Sequence, residues 1–215
     1  MTRWMCLALS LGLLSACGRG VPDGARVVVA GDSIMAWNRG SGGSVADVLQ
    51  QELREPVGDV SLSLARITSG RGAFNIPNQL ESVRAQWVVL DGGANDLSGQ
   101  CECSDCGPVL DRLISEDGKR GAIPSLVADL RARGARVIWA DYYTAPRYAG
   151  TACEAPYQVL EDRLSRMAGA DAGVTLVDLD EAFSPEDPSL FASDRIHPSP
   201  KGSALIAAQI APILR

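Results

Sequence analysis

Val27-Val28-Val29-Ala30-Gly31-Asp32-Ser33 is the stretch whose reading decides the fold. A run of β-branched residues ends abruptly in Gly-Asp-Ser, and a loop-like segment follows. A continuous apolar run of this kind fits a central strand buried on both faces. Its carboxyl end would deliver Ser33 to the surface, where ligands of open α/β sheets sit. Ser33 is therefore a candidate nucleophile, provided a base and an oxyanion site can reach it.

The same pattern recurs along the chain. Trp87 to Leu90 is a second continuous apolar strand and runs into Asp91-Gly92-Gly93-Ala94-Asn95-Asp96. Ala135 to Asp141 and Val174 to Val177 read as two further strands. Asp59 to Ala65 alternates Val60, Leu62 and Leu64 with polar residues, which predicts a strand near the sheet edge. Between the strands the spacing becomes helical. Ser44 and Asp47 form a capping-box pair ahead of Val45, Val48, Leu49 and Leu53, and Pro56 ends that helix. A loop over Ile67 to Gly72 leads into a helix expected to reach about Arg84. Short apolar spacing predicts a helix over Val109 to Ile114. Longer helices are expected from Pro124 to Gly134, from Pro156 onward, and from Ser199-Pro200 to about Leu214. Strands alternating with helices make a parallel sheet, here five strands sandwiched in an α/β/α arrangement.

The chain has 215 residues, enough for one domain, with 46% hydrophobic and 21% charged residues. Its net charge of −6 argues against a nucleic-acid partner, which would favour a basic face. At the N-terminus, Arg3 precedes an apolar run from Trp4 to Leu14, the pattern of a signal peptide over residues 1–16. Leu14-Ser15-Ala16-Cys17 resembles the bacterial lipobox, which predicts a lipid on Cys17. An ordinary secretory cut after Ala16 would want a small residue where Leu14 stands. Residues 17–25 are then a tether and 26–215 the domain. The membrane would be met only through the lipid, at the cell envelope. Cys6 is lost with the signal, leaving Cys101, Cys103, Cys106 and Cys153, three of them in an irregular insertion over about 98–121. Export favours two disulfides in one of three pairings, with a four-cysteine zinc site as the competing reading.

His197 is the only histidine, so a general base of the usual kind must be this residue. Asp194, three residues earlier, can orient one imidazole nitrogen and leave the other for the Ser33 proton. Asn95 can present an amide to a developing oxyanion. A backbone N–H from the Ser69-Gly70-Arg71-Gly72 turn and that of Ser33 itself would complete three donors.

Gly31-Asp32-Ser33-Ile34, the glycine turn after the second strand, Gly93-Ala94-Asn95-Asp96 and Asp194-Arg195-Ile196-His197-Pro198 together resemble the four blocks of the SGNH hydrolases, or GDSL esterases and lipases. They stand in family order from about Gly31 to the C-terminus. The resemblance implies a flavodoxin-like α/β/α fold and ester hydrolysis through an acyl-serine, without metal or organic cofactor. It implies Ser33 as nucleophile, His197 as base, Asp194 as its orienting partner, and Ser33, Gly70 and Asn95 as the oxyanion hole. The second block departs from the family, since Ala65-Arg66-Ile67-Thr68-Ser69-Gly70-Arg71 lacks the usual upstream Asn, and Gly72 is the alternative to Gly70. The cysteine-bearing insertion is also foreign to the pattern. Met35 stands where a G-x-S-x-G elbow needs its second glycine, which argues against the larger α/β-hydrolase fold. Asp32 reads as structural, and Asp96 as a cap for the segment after it. Trp37, Tyr142, Tyr143 and Tyr148 are expected either to line an acyl or sugar pocket or to be surface aromatics. The expected substrate is a small-molecule or glycan ester. A silent envelope protein that binds glycans or acyl chains, and an acyltransferase, fit the same residues; oligomeric state is left open.

Overall fold

The structure is a computed structural model that describes residues 20–215. The expected signal peptide and Cys17, the expected lipid site, lie outside those residues. Five parallel strands form one sheet in the order β2-β1-β3-β4-β5. They are β1 (Val27–Ala30), β2 (Val57–Asp59), β3 (Trp87–Leu90), β4 (Arg136–Ala140) and β5 (Val174–Val177). β1 pairs with β3 from Val27 opposite Trp87 to Ala30 opposite Leu90. Every residue of β1 and β3 is buried, as expected of strands covered on both faces. This is the flavodoxin-like order, and its direction reverses between β1 and β3.

The helices are α1 (Ser33–Ala36), α2 (Val45–Leu53), α3 (Ile76–Leu80), α4 (Ala94–Gln100), α5 (Gly107–Leu113), α6 (Ala122–Ala132), α7 (Glu154–Ala170) and α8 (Pro200–Leu214). α2 packs against α8, while α5 touches α4, α6 and α7, so the sheet lies within an α/β/α sandwich. Ser44 and Asp47 close the capping box on α2 as expected, with Ser44 N–H donating to Asp47 at 2.9 Å. Among the described residues, no helix is long and apolar enough to cross a membrane.

Three expectations are corrected. The strand expected over Asp59 to Ala65 stops at Asp59. There Asp59 Oδ1 accepts from Ser61 N–H at 3.1 Å and Ser61 Oγ–H at 2.7 Å, while Val60 and Leu62 N–H still donate to Val29 O and Gly31 O at 2.9 Å before the chain turns away. Leu64, expected in alternation with Val60 and Leu62, is instead 70% exposed. α3 ends at Leu80 rather than near Arg84. The guanidinium of Arg133, just past α6, donates to the carbonyls of Leu80, Glu81 and Val83, and Leu80 O also takes Val83 N–H at 3.1 Å, a turn bond in place of a helical one. The described part of the expected tether is not free: Gly20 exchanges backbone hydrogen bonds with Asp59 at 3.1 and 3.0 Å, and Ala25 is buried. The four expected cysteines pair as Cys101–Cys106 and Cys103–Cys153. The second bridge ties the insertion to the start of α7.

Candidate active site

β1 ends at Ala30, and Gly31 makes the turn that aims Ser33. Its φ is +122°, a region L side chains rarely adopt, and a Cβ there would overlap the Asp91 carboxyl. Asp32 caps α1 by accepting from Ile34 N–H at 3.0 Å, which places Ser33 at the first helical position. β3, next to β1, delivers Asn95 at the start of α4. The third segment comes from the other end of the chain. Asp194 Oδ1 accepts from the backbone N–H groups of Ile196 and His197, both at 3.0 Å, and curls the loop onto itself. Tyr143 donates its hydroxyl to Ile196 O at 2.8 Å and stacks on Phe183 at 4.1 Å, pinning this loop to the end of β4.

These placements bring together Ser33, His197 and Asp194. His197 Nε2 is 2.8 Å from Ser33 Oγ, and its Nδ1 is 2.6 Å from Asp194 Oδ2. Burial pushes the Asp194 carboxyl up, but hydrogen bonds from the His197 ring and from two backbone N–H groups outweigh this and hold it below the usual carboxylate range. An ionised carboxylate only accepts, so Nδ1 carries the imidazole proton and Nε2 offers its lone pair to the serine hydroxyl. Trp37 stacks on His197 at 3.7 Å with its plane 5° from parallel, fixing the ring from the other side.

Ser33, Asn95 and His197 open onto one cleft of about 440 Å³, which Trp37, Tyr142, Tyr143 and Tyr148 also line. All four aromatics therefore belong to the pocket. Asn95 Nδ2 donates to Ala65 O at 3.0 Å and lies 3.4 Å from Asp32 Oδ2. Gly70 and Gly72 do not line the cleft with them. Gly70 sits on the neighbouring loop with φ +101°, under the carbonyl of Phe74. That loop is clasped by Asp96. Its buried carboxylate accepts from Ile67 N–H at 2.8 Å, Thr68 N–H at 2.9 Å and the Thr68 hydroxyl. The expectation that Asp96 caps the segment after it is thus corrected: it accepts from the Gln100 side chain there at 3.1 Å, but its backbone partners lie in a loop some thirty residues upstream.

Two residues were not anticipated as partners of Asp32. Asp91, buried beside it, accepts from Asp32 N–H at 2.7 Å, and its other oxygen has no partner among the described residues. Burial, reinforced by the Asp32 charge, pushes the Asp91 carboxyl well up and favours its protonated form. Tyr142 donates to Asp32 Oδ2 at 2.8 Å and accepts from Ala94 N–H at 3.2 Å. It links the ends of β1, β3 and β4 directly behind Ser33 and Asn95. Asp91 directly follows an apolar strand, a signal that was available. Nothing in the sequence pairs Tyr142 with a residue 110 positions away.

A family model described as GDSL-like lipase/acylhydrolase matches residues 29–205. No curated protein matches the chain. Among solved structures, TesA is 19% identical with a TM-score of 0.62, over 88% of this chain and 97% of that one. The psychrotrophic esterase EstA from Pseudoalteromonas sp., in a structure inhibited by monoethylphosphonate, is 15% identical with a TM-score of 0.62, over 88% and 96%. A family two carbohydrate esterase from Clostridium thermocellum is 17% identical with a TM-score of 0.62, over 89% of this chain and 63% of that one. At such identities the likeness is one of fold, but the family match spans all four blocks, and the chain belongs to the GDSL-like lipase/acylhydrolase family.

Proposed function

We propose that this protein is a serine hydrolase that cleaves carboxylic esters through an acyl-serine on Ser33. The observation that carries the reading is the unbroken hydrogen-bonded path from Asp194 through His197 to Ser33 Oγ, opening beside Asn95. Ser33 Oγ attacks the ester carbonyl carbon as its proton passes to His197 Nε2. The imidazolium that forms lies against the Asp194 carboxylate. The oxyanion is met by Ser33 N–H and by Asn95 Nδ2; Gly70, the third donor the family resemblance implies, does not line the cleft. Asn95 gives up its longer contact, to Asp32, to make that bond. Collapse expels the alcohol, which takes the proton from Nε2. Water, deprotonated by the same nitrogen, then releases the acid and regenerates Ser33.

Hydrolysis of a short-chain 4-nitrophenyl ester by the wild type and Ser33→Ala tests this, with circular dichroism to check the fold. Turnover is expected to vanish with the fold intact, and undiminished activity in the variant would refute the assignment. A fluorophosphonate should label wild-type Ser33 and leave the variant unlabelled. A protein that only binds glycans or acyl chains would not be labelled.

Leu14-Ser15-Ala16-Cys17 supports a lipid anchor on Cys17 and a place at the cell envelope, and the two disulfides fit an oxidising compartment. Cys17→Ala should move the protein from the membrane to the soluble fraction of its host.

A further inference from the structure

Leu64 breaks two rules at once. It is the most exposed large apolar side chain among the described residues, at 70%, and its φ is +68°. It occupies the third place of the turn Leu62-Ser63-Leu64-Ala65, closed by Ala65 N–H donating to Leu62 O at 3.0 Å. A positive φ at that place favours Gly or Asn and strains a branched side chain. Such strain persists only where the surroundings fix the backbone, and it concentrates at functional sites. Both ends of this turn are fixed by the candidate site. Leu62 N–H donates to Gly31 O at 2.9 Å, and Ala65 O accepts from Asn95 Nδ2 at 3.0 Å. Leu64 lines the same cleft as Ser33 and His197.

We infer that Leu64 is a specificity-determining residue, held at the cleft mouth to cover the part of an apolar, uncharged acyl chain that extends beyond the reacting carbonyl. This rests on the ester-hydrolase reading above and adds the class of acyl group. At 440 Å³ the cleft falls in the range of about 300–1,000 Å³ that takes ligands much larger than an acetyl group. An acetyl group would leave most of that space wet. Among the described residues, no lysine or arginine lines the cleft, and its carboxyls are those of Asp32, Glu154 and Glu161. An acid-terminated acyl chain would therefore find no counter-charge. A longer neutral chain buries its distal methylenes against Leu64, whereas an acetyl group stops short of it.

The test compares kcat/KM for 4-nitrophenyl acetate, butyrate and octanoate in the wild type, Leu64→Gly and Leu64→Asn. Gly and Asn both tolerate the turn's backbone, so one variant serves if the other folds poorly. Octanoate turnover is expected to fall about ten- to hundredfold, the worth of one buried apolar side chain, with acetate unchanged within about twofold on the same principle. Thermal midpoints should hold or rise as the strain is relieved. An equal loss for all three esters, or an undiminished octanoate rate, would overturn the inference. If the wild type cleaves none of these esters, the ester-hydrolase reading fails, and binding then judges Leu64. Quenching of Trp37 fluorescence by 2-decanone should show a Kd weakened in the Leu64 variants by a similar factor, and an unchanged Kd would count against the assignment.

Discussion

Asn95 shows how one side chain ties structure to chemistry. Its amide reaches Ala65 O and Asp32, and so couples the candidate oxyanion site to the turn that carries Leu64. Asn95→Ala should lower kcat by about a hundredfold or more, the usual cost of one oxyanion donor. The loss should be smaller than that of Ser33→Ala, because the Ser33 N–H remains as a donor. KM should change little, since the bond strengthens only as charge develops. Tyr142 acts at one remove. Burial keeps its hydroxyl protonated, so it remains a donor to Asp32 across the working pH range. Tyr142→Phe would leave Asp32 Oδ2 and Ala94 N–H short of a partner in a buried place. The expected cost is about 1–3 kcal/mol of stability. With it should come a fall in kcat that exceeds any rise in KM, since Asp32 and Ala94 flank the segment that positions Asn95. Urea denaturation and steady-state kinetics on the same preparation separate the two effects.

At the scale of elements, α7 forms one wall of the cleft through Glu154, Tyr157, Gln158 and Glu161, and the Cys103–Cys153 bridge secures its first turn. The two disulfides differ in the chain they close, with sequence separations of 50 and 5. Chain-entropy reasoning gives about 4 kcal/mol for the longer loop and about 2 for the shorter. Replacing Cys103 and Cys153 by serine should therefore lower the denaturation midpoint more than replacing Cys101 and Cys106. Equal midpoints would mean that the reduced chain already holds the insertion against α7. The sequence marked these cysteines as bridge-formers but left three pairings. Only the packing of the insertion beside α7 selects one, because spacing along a chain does not determine proximity across it. The alternation of Val60, Leu62 and Leu64 failed for a related reason: Val60 and Leu62 keep their backbone bonds toward β1, but the chain then turns at Leu62 to Ala65, and that turn brings Leu64 to the cleft.

At the scale of the whole molecule, the acidic balance leaves carboxyls crowded at the carboxyl ends of β4 and β5. Burial pushes Asp141 up to about 7, with Asp178 and Asp180 adding to the shift. Burial likewise pushes Glu161 up to about 9, reinforced by Asp141 and Asp180. Both folded values lie above the unfolded ones, so between them the folded chain binds more protons, and stability falls as pH rises. For Asp141 the loss begins above about pH 4 and is complete just above 7; for Glu161 it continues to about pH 9. The thermal midpoint should be higher at pH 5.5 than at pH 8. Asp141→Asn, which can still accept from Leu179 N–H, should flatten that dependence and raise the midpoint at pH 8 by on the order of five degrees. A midpoint that rises from pH 5.5 to pH 8 would show that other groups govern the balance.

By itself the sequence determined the layered architecture, because buried parallel strands and amphipathic helices declare themselves through local spacing. It also marked Ser33, Asp194, His197 and Asn95, because the only histidine and the turns after apolar strands leave few choices. Tertiary structure alone decided what these residues meet. The Asp32–Asp91–Tyr142 cluster, Asp96's grip on the Gly70 loop, the disulfide pairing and the exposed Leu64 all join segments far apart in the chain. Their reasons are burial and hydrogen-bond competition between distant parts, which no local pattern records.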